Sequence, residues 1–267
     1  KKLKTEKLTF KEFKESILKD YRVVVESREA SLLGRKEVLT GKAKFGIFGD
    51  GKEVAQVAMA RTFKHGDFRS GYYRDQTFMM ALGELSLEEL FSQLYANTDL
   101  EKEPASGGRQ MNNHFATRSL DSDGKWKNLS KQYNSVSDIS PTGSQMPRLL
   151  GLGHASKIYR NNDKLTTFDF SNNGDEIAYG TIGNASTSEG LFFETINAAG
   201  VLQIPMLLSI WDDGWGISVP AEYQTTKGNI SEVLKGFQRT QKKDGIEILK
   251  VKGWDYKALC ATYLEAS

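Results

Sequence analysis

The segment IAYGTIGNASTSEGLFFETINAAGVLQIPMLLSIW (residues 177–211) contains two short apolar runs separated by a helical stretch. The runs Ile177–Ile182 and Pro205–Trp211 predict β-strands, and Ser188–Leu202 predicts the helix between them. Short links on both sides of the helix are typical of a strand–helix–strand unit with parallel strands. Strands of this kind are covered on both faces, which explains the continuous apolar runs. The sequence therefore predicts an α/β fold, a parallel sheet flanked by helices, with Ile246–Val251 as a third strand.

Further helices are predicted outside this unit. Apolar residues at three- and four-residue spacing indicate a helix over Phe10–Ser27, and Glu53–Ala60 predicts a second one. Leu87–Ala96 predicts a third, for which Ser86 is the expected N-cap because a glutamate follows three residues later. Pro147–Tyr159 predicts a fourth helix, with its proline in the first turn.

The composition excludes several classes of protein. Of 267 residues, 39% are hydrophobic and 26% are charged, and the net charge is 36 − 34 = +2. No strongly basic face is implied, so we do not expect a nucleic-acid partner. No stretch of 18 apolar residues exists, so we do not expect a membrane-spanning helix. The single cysteine, Cys260, excludes a disulfide framework and a zinc site built from several cysteines, and it fits the cytoplasmic location that we expect.

Polar residues follow both strands of the predicted unit. Asn184 follows the first strand and Asp213 follows the second. Ligands bind beyond the carboxyl ends of parallel strands, so we expect these two side chains to lie side by side. One carboxylate and one amide oxygen suit Mg²⁺, which normally takes phosphate oxygens as further ligands. Ser186–Glu189 has the spacing of a capping box, and the helix N-terminus would face the same crevice. Each residue alone is also compatible with a simple turn. The pattern predicts a metal-and-phosphate pocket without naming the cofactor.

The segments Gly183–Gly190 and Pro205–Ser218 resemble the thiamine-diphosphate motif of the 2-oxo acid dehydrogenases. The resemblance is to the alpha subunit, or the alpha half of an alpha–beta fusion, of the decarboxylating component of pyruvate or branched-chain type. In that family a strand ends in Gly-Asp-Gly and a later one in Asn-Asn. The resemblance implies the thiamine-diphosphate-binding fold and places Mg²⁺ on Asn184, Asp213 and the carbonyl of Trp215. The carboxylate and the amide have exchanged places in this sequence, which we interpret as a compensated swap.

Other segments match the family in the same order. Ser70–Gln76 resembles a Tyr-Arg-Glu stretch that contacts the cofactor diphosphate, and Gly51-Lys-Glu53 takes the place of Gly-Gln-Glu before a helix, where we expect a structural role. Gly108–His114 resembles Gly-Arg-Gln-Met-Pro-Val-His, and Ile139–Pro147 resembles a loop that touches the aminopyrimidine. The cofactor-binding residues implied are Tyr73, Arg74, Ser140, Thr142, Gly183, Asn184, Ala185 and Ser186, with His114 as the catalytic candidate at the active-site entrance. K⁺, bound by some family members in this loop, would lie among Pro141, Ser144 and Gln145.

The resemblance also implies an activity and partners. Residues 1–70 would form a helical N-terminal extension packed on the core, and residues 71–267 the thiamine-diphosphate-binding α/β domain without its C-terminal part. Such a chain takes part in oxidative decarboxylation of a 2-oxo acid, with acyl transfer to a lipoyl-bearing acyltransferase. Its catalytic glutamate lies on a beta subunit or beta half, so we expect inactivity alone, a dimer or α2β2-type assembly, and no membrane partner. Family chains continue past a point like Ser267 with a His-Ser loop, and this one begins with Lys, so we expect a fragment of a fusion.

Two other readings of the sequence remain open. The first is another thiamine-diphosphate enzyme, such as an acetoin dehydrogenase or a transketolase-like protein, which substrate-dependent CO₂ release would distinguish. The second is a non-catalytic nucleotide or phosphate binder, which would prefer ADP to thiamine diphosphate. The sequence lacks a Walker pattern or a Gly-x-Gly-x-x-Gly after a strand, which argues against the second.

Overall fold

The computed structural model describes residues 9–165 and 169–267. Its helices are α1 (Phe10–Leu39), α2 (Glu53–Ala60), α3 (Gln76–Leu82), α4 (Leu87–Leu94), α5 (Gln145–Arg160), α6 (Gly190–Leu202), α7 (Ile230–Val233) and α8 (Tyr256–Ala266). Its strands are β1 (Phe68–Ser70), β2 (Asn134–Ser135), β3 (Ala178–Gly183), β4 (Met206–Trp211), β5 (Trp215–Gly216) and β6 (Val219–Pro220).

A parallel sheet forms the centre of the described structure. Its strand order is β2-β1-β3-β4, and β5 and β6 form a separate antiparallel ribbon. β3 and β4 pair along their whole length, from Ala178 opposite Met206 to Gly183 opposite Trp211. Because α6 connects these two parallel strands, the predicted strand–helix–strand unit is confirmed.

Helices cover both faces of the sheet. Tyr179 of β3 and Trp211 of β4 belong to a buried cluster that also contains side chains of α2, α3 and α8. Ile182 lies in a second cluster with Met146 of α5 and Phe192 of α6. Neighbouring side chains along a strand point to opposite faces of the sheet, so Tyr179 and Ile182 pack against helices on opposite sides.

α1 is a long helix whose buried side chains lie in its second half. It begins with a capping box, in which Thr9 accepts the backbone N–H of Glu12 and the Glu12 carboxylate accepts that of Thr9. The helix continues well past the predicted Ser27. Phe10 is 80% exposed, whereas Ser27 is fully buried and its hydroxyl lies 2.6 Å from that of Thr77 on α3. The spacing of apolar residues therefore predicted the helix. Small buried side chains such as Ser27, and not the exposed Phe10, make its close contact with α3.

Two predicted features are wrong. Ile246–Val251 is not a strand, because within the described residues it forms only an isolated bridge between Ile246 and Gln238. The Ile246 N–H instead donates to the Phe237 carbonyl, and its own carbonyl accepts the Arg239 N–H. Its side chain packs against the buried cluster that contains Ile182 and Phe192. The capping box at Ser186–Glu189 does not form, because residues Ala185–Ser188 make a 3₁₀ turn and α6 starts without a side-chain cap.

Other predictions are confirmed at the level of elements. Glu53–Ala60 is a helix with the predicted bounds. Ser86 caps α4, since its hydroxyl accepts the Glu89 N–H at 3.2 Å and the Glu89 carboxylate accepts the Ser86 N–H at 2.7 Å. β1 was not predicted, and it places part of the expected extension (residues 1–70) inside the sheet. None of the helices in the described ranges is long and apolar enough to cross a membrane.

Candidate functional site

Asn184 and Asp213 both follow the carboxyl ends of paired strands. The Asn184 backbone N–H donates to the Trp211 carbonyl at 3.2 Å, which continues the β3–β4 ladder by one step. Asn184 is 5% exposed, and Asp213 lies two residues beyond the end of β4. The structure therefore puts both residues at the sheet edge where α/β proteins bind ligands.

The carboxylate of Asp213 is already paired with a cation. Its Oδ2 accepts a hydrogen bond from Nζ of Lys52 at 2.7 Å, and its Oδ1 accepts the backbone N–H of Trp215 at 3.1 Å. Burial acts to raise the pKa of Asp213, but these two donors and nearby Arg74 outweigh it, so the pKa is held below its ordinary value. Asp213 is therefore ionised at neutral pH.

Tyr72 supplies an unused hydroxyl at the same edge. Its side chain is 7% exposed, and its Oη has no hydrogen-bond partner among the described residues. A Cβ placed on Gly183 would lie 3.4 Å from this Oη, so a glycine leaves the hydroxyl open towards the end of β3. Burial raises the pKa of Tyr72 well above its ordinary value, which keeps the hydroxyl a neutral donor. A buried donor without an acceptor is rare in native proteins, and this hydroxyl is free to donate to a ligand atom.

Arg74 is the second cation of the site. Its guanidinium carbon lies 5.4 Å from the centre of the Tyr73 ring. Burial acts to lower the pKa of Arg74, but Tyr72, Tyr73 and Asp213 outweigh it, and the pKa is raised. The Arg74 backbone is fixed as well, since its carbonyl accepts Nε2 of Gln56 at 2.7 Å. The guanidinium is thus a permanently charged fork of donors near Asp213, suited to phosphate oxygens.

A buried ionic network holds the turn that carries these residues. Arg69 on β1 lies between the carboxylates of Asp75 and Asp138, and all three side chains are at most 1% exposed. Thr181 on β3 donates its hydroxyl to Asp75 at 2.6 Å, which ties the turn to the sheet. A Cβ on Gly71 would lie 1.9 Å from the Asp75 carboxylate, so this position accepts only glycine. The turn therefore has little freedom to move away from the strand ends.

His114 and Ser140 meet at a neighbouring position. Nε2 of His114 lies 3.0 Å from the Ser140 hydroxyl, and Nδ1 lies 3.2 Å from the Asn112 carbonyl. Ser140 and Thr142 are exposed, whereas His114 is buried. A Cβ on Gly143 would lie 3.1 Å from Cβ of Glu189, so this loop touches the start of α6. Two predicted residues are thus in contact beside the strand-end crevice.

Comparison with known proteins identifies the family of the chain. The sequence pattern of the dehydrogenase E1 component matches residues 21–266. The chain belongs to the dehydrogenase E1 component family. The resemblance to alpha subunits is thereby confirmed.

Three relatives illustrate the match. The 2-oxoisovalerate dehydrogenase subunit alpha of Bacillus subtilis is 30% identical over 199 residues, 74% of this chain and 51% of the relative. A mitochondrial 2-oxoisovalerate dehydrogenase subunit alpha 1 of Arabidopsis thaliana is 27% identical over 219 residues, 82% and 38% of the two chains. The pyruvate dehydrogenase E1 component subunit alpha of Acholeplasma laidlawii is 26% identical over 269 residues, 99% and 63% of the two chains. The chain thus spans between about 40% and about 60% of these relatives.

The remaining predicted residues of this E1 chain lie around the same edge. The Ala185 carbonyl accepts Nε2 of Gln224 at 2.9 Å, and Ser186 is half-buried in the 3₁₀ turn. Trp215 is 54% exposed and begins β5. Their roles towards cofactor, Mg²⁺ and K⁺ stay predictions. Among the described residues no group of three or more His, Cys, Asp or Glu side chains could hold a metal by itself.

Sequence reasoning missed two members of the site, Lys52 and Tyr72. The family motif points to the neighbouring Tyr73 and not to Tyr72. The match at Gly51-Lys-Glu53 predicts a structural role, whereas the Lys52 ammonium reaches Asp213. Two departures from the family pattern could have indicated this contact. Lys52 replaces the glutamine of Gly-Gln-Glu, and Asp213 replaces the second asparagine of Asn-Asn.

Proposed function

We propose that this protein binds thiamine diphosphate beyond the ends of β3 and β4 and forms the diphosphate-binding half of a 2-oxo acid dehydrogenase E1 component. The main support is the buried, unpartnered hydroxyl of Tyr72 beside Gly183. It lies close to the cation of Arg74 and to Asp213. Both Arg74 and Lys52 lower the pKa of Asp213. A neutral donor and two cations around an open strand end suit an oligophosphate.

The residues present fit both parts of such a cofactor. Arg74, Tyr72 and the backbone of the Gly183–Ser186 turn would hold the diphosphate. Asn184, Asp213 and the carbonyl of Trp215 would hold Mg²⁺, since amide, carboxylate and carbonyl oxygens are its preferred protein ligands. The ionised carboxylate of Asp213 supports this part, because a metal ligand must be deprotonated. K⁺ in the loop of Pro141, Ser144 and Gln145 is a further proposal from the resemblance.

Each site residue then has a definite task in decarboxylation. Thiamine diphosphate, when bound, supplies the carbon nucleophile and electron sink for loss of CO₂ from a 2-oxo acid. The backbone around Ser140 and Thr142 would face the aminopyrimidine. His114 would orient Ser140 at the entrance through its 3.0 Å contact, and the Arg69 network would keep the diphosphate-binding turn in place.

Partners complete the proposed enzyme. We propose a beta subunit or beta half that supplies the catalytic glutamate, and a lipoyl-bearing acyltransferase that accepts the acyl group. The division into an extension over residues 1–70 and a cofactor domain over residues 71–267 is likewise proposed. The names of the relatives support a 2-oxo acid as substrate without choosing between pyruvate and a branched-chain acid.

Calorimetric titration with thiamine diphosphate in saturating Mg²⁺ tests this function. We expect binding by the wild-type protein and a loss of about 10- to 100-fold in affinity for Arg74→Ala, because hydrogen bonds to charged groups contribute about 1.5–3 kcal/mol. Arg118→Ala, which changes an exposed arginine outside the site, should bind as the wild type does. Preference for ADP, or no binding by the wild type, would contradict the proposal.

A further inference from the structure

We propose that Lys52 is a tethered cation that competes with the divalent metal for Asp213. The inference rests on the proposed function, since the metal in question is the one that accompanies the diphosphate. Nζ of Lys52 lies 2.7 Å from Oδ2 of Asp213, and the lysine side chain is only 13% exposed. The ammonium therefore competes with a metal ion for this carboxylate oxygen.

The backbone on both sides of Lys52 is fixed, so the ammonium stays close to Asp213. Glu53 begins α2, is 4% exposed, and pairs with Arg28 through hydrogen bonds of 2.6 and 2.9 Å. The same Glu53 carboxylate accepts the backbone N–H of Gly51 at 3.0 Å. A lysine anchored in this way keeps a high local concentration of its ammonium at the carboxylate.

The charges of the cluster favour an anion over a free metal ion. Asp213 and Lys52 sum to zero, and Arg74 adds one positive charge. A divalent cation arriving alone meets an occupied carboxylate and the repulsion of two nearby cations, Lys52 and Arg74, whereas both cations attract a diphosphate. The exchange of residues between positions 184 and 213 also supports the competition. It leaves Asp213 as the only carboxylate of the pair, and Lys52 contacts that carboxylate.

The geometry therefore couples the two ligands. When the metal and the diphosphate arrive together, the ammonium can move from Asp213 to a phosphate oxygen while the metal takes the carboxylate. A lysine on a four-carbon stem is suited to both positions, since it binds phosphate as a mobile point charge. Lys52 thus becomes a determinant of metal affinity and a further diphosphate contact.

Binding of Mn²⁺ alone to the full chain tests the competition, with free Mn²⁺ measured by electron paramagnetic resonance. We expect Lys52→Gln to bind Mn²⁺ about tenfold more tightly than the wild type. Lys44→Gln removes the same charge from an exposed lysine eight residues earlier in the chain and should leave the affinity unchanged. Adding Asp213→Asn to Lys52→Gln should abolish the gain, which would locate it at this carboxylate.

The outcomes separate this inference from the proposed function. An unchanged or weaker Mn²⁺ affinity in Lys52→Gln, or a gain that survives Asp213→Asn, would overturn the competition. Circular dichroism of each variant shows that the fold is intact. Titration of the wild type with thiamine diphosphate in saturating Mg²⁺ independently tests the cofactor, so a tighter Mn²⁺ site without cofactor binding would support the role of Lys52 and contradict the proposed function.

Discussion

Arg69 is the buried cation that holds the turn over residues 71–75. Its guanidinium donates to Asp75 at 2.9 Å and to Asp138 at 3.0 and 3.1 Å. Arg69→Met would leave two buried carboxylates without a counter-charge, which we expect to lower the free energy of unfolding by about 3–5 kcal/mol. Urea unfolding followed by circular dichroism measures the change, with the exposed Arg118→Met as control. Equal unfolding midpoints for Arg69→Met and the wild type would show that the network contributes nothing.

Candidate residues could be named where the motif is contiguous in sequence. Arg74 and Asn184 are candidates because their neighbours carry a family pattern, and their roles stay predictions. Lys52 and Asp213 are 161 residues apart, and no local pattern records a contact over that distance. The unused hydroxyl of Tyr72 is invisible in a sequence for a similar reason, because its significance lies in the absence of a partner in three dimensions.

Five helices (α1, α2, α4, α5 and α6) and the two long strands were predicted from the sequence. The helices α3, α7 and α8 and the short strands were not. β3 and β4 are six residues each and apolar, so their pattern was clear. β1 has three residues, one of them the buried Arg69, and β2 has two, so neither has a strand pattern. Ile246–Val251 has such a pattern but lacks a ladder partner beyond the bridge at Ile246 in the described structure. Pairing, which decides a strand, is a non-local property.

Two glycines of α5 should respond oppositely to alanine. Gly153 is buried, and a Cβ there would lie 2.3 Å from Cγ2 of Ile204 and 3.2 Å from the Pro205 carbonyl, so Gly153→Ala should destabilise by about 1–3 kcal/mol. A Cβ on Gly151 would have no heavy atom within 4 Å, so Gly151→Ala should stabilise by about 0.5–1 kcal/mol through helix propensity. Thermal unfolding of both variants measures the difference. Changes of the same sign would contradict the close packing of α5 on β4.

The candidate site and the buried carboxyl group of Asp67 lie at opposite ends of the parallel sheet. The site lies beyond the carboxyl ends of β3 and β4, whereas Asp67 lies at the amino ends, directly before β1. Its carboxylate accepts the backbone N–H groups of Ile177, before β3, and of Lys64, both at 2.8 Å. We therefore expect a change in the charge of Asp67 to act on folding through the amino ends of β1 and β3.

The pH dependence of stability should report this buried carboxyl group. Burial raises the pKa of Asp67 from 3.8 to about 6, against the opposing effect of its two backbone hydrogen bonds. Between pH 4 and 6 the folded state then holds a proton that the unfolded chain has released, so the unfolding free energy falls as the pH rises through this range, by up to about 3 kcal/mol.

Asp67→Asn should flatten this part of the profile, measured by urea unfolding from pH 4.5 to 7.5. The variant should lose stability at low pH, because its amide group faces a backbone donor. Glu29→Gln, at an exposed position of α1, should keep the wild-type slope. Parallel profiles for the wild type and Asp67→Asn would show that Asp67 does not set the slope, and that its proton is released at the same pH in the folded and unfolded chains.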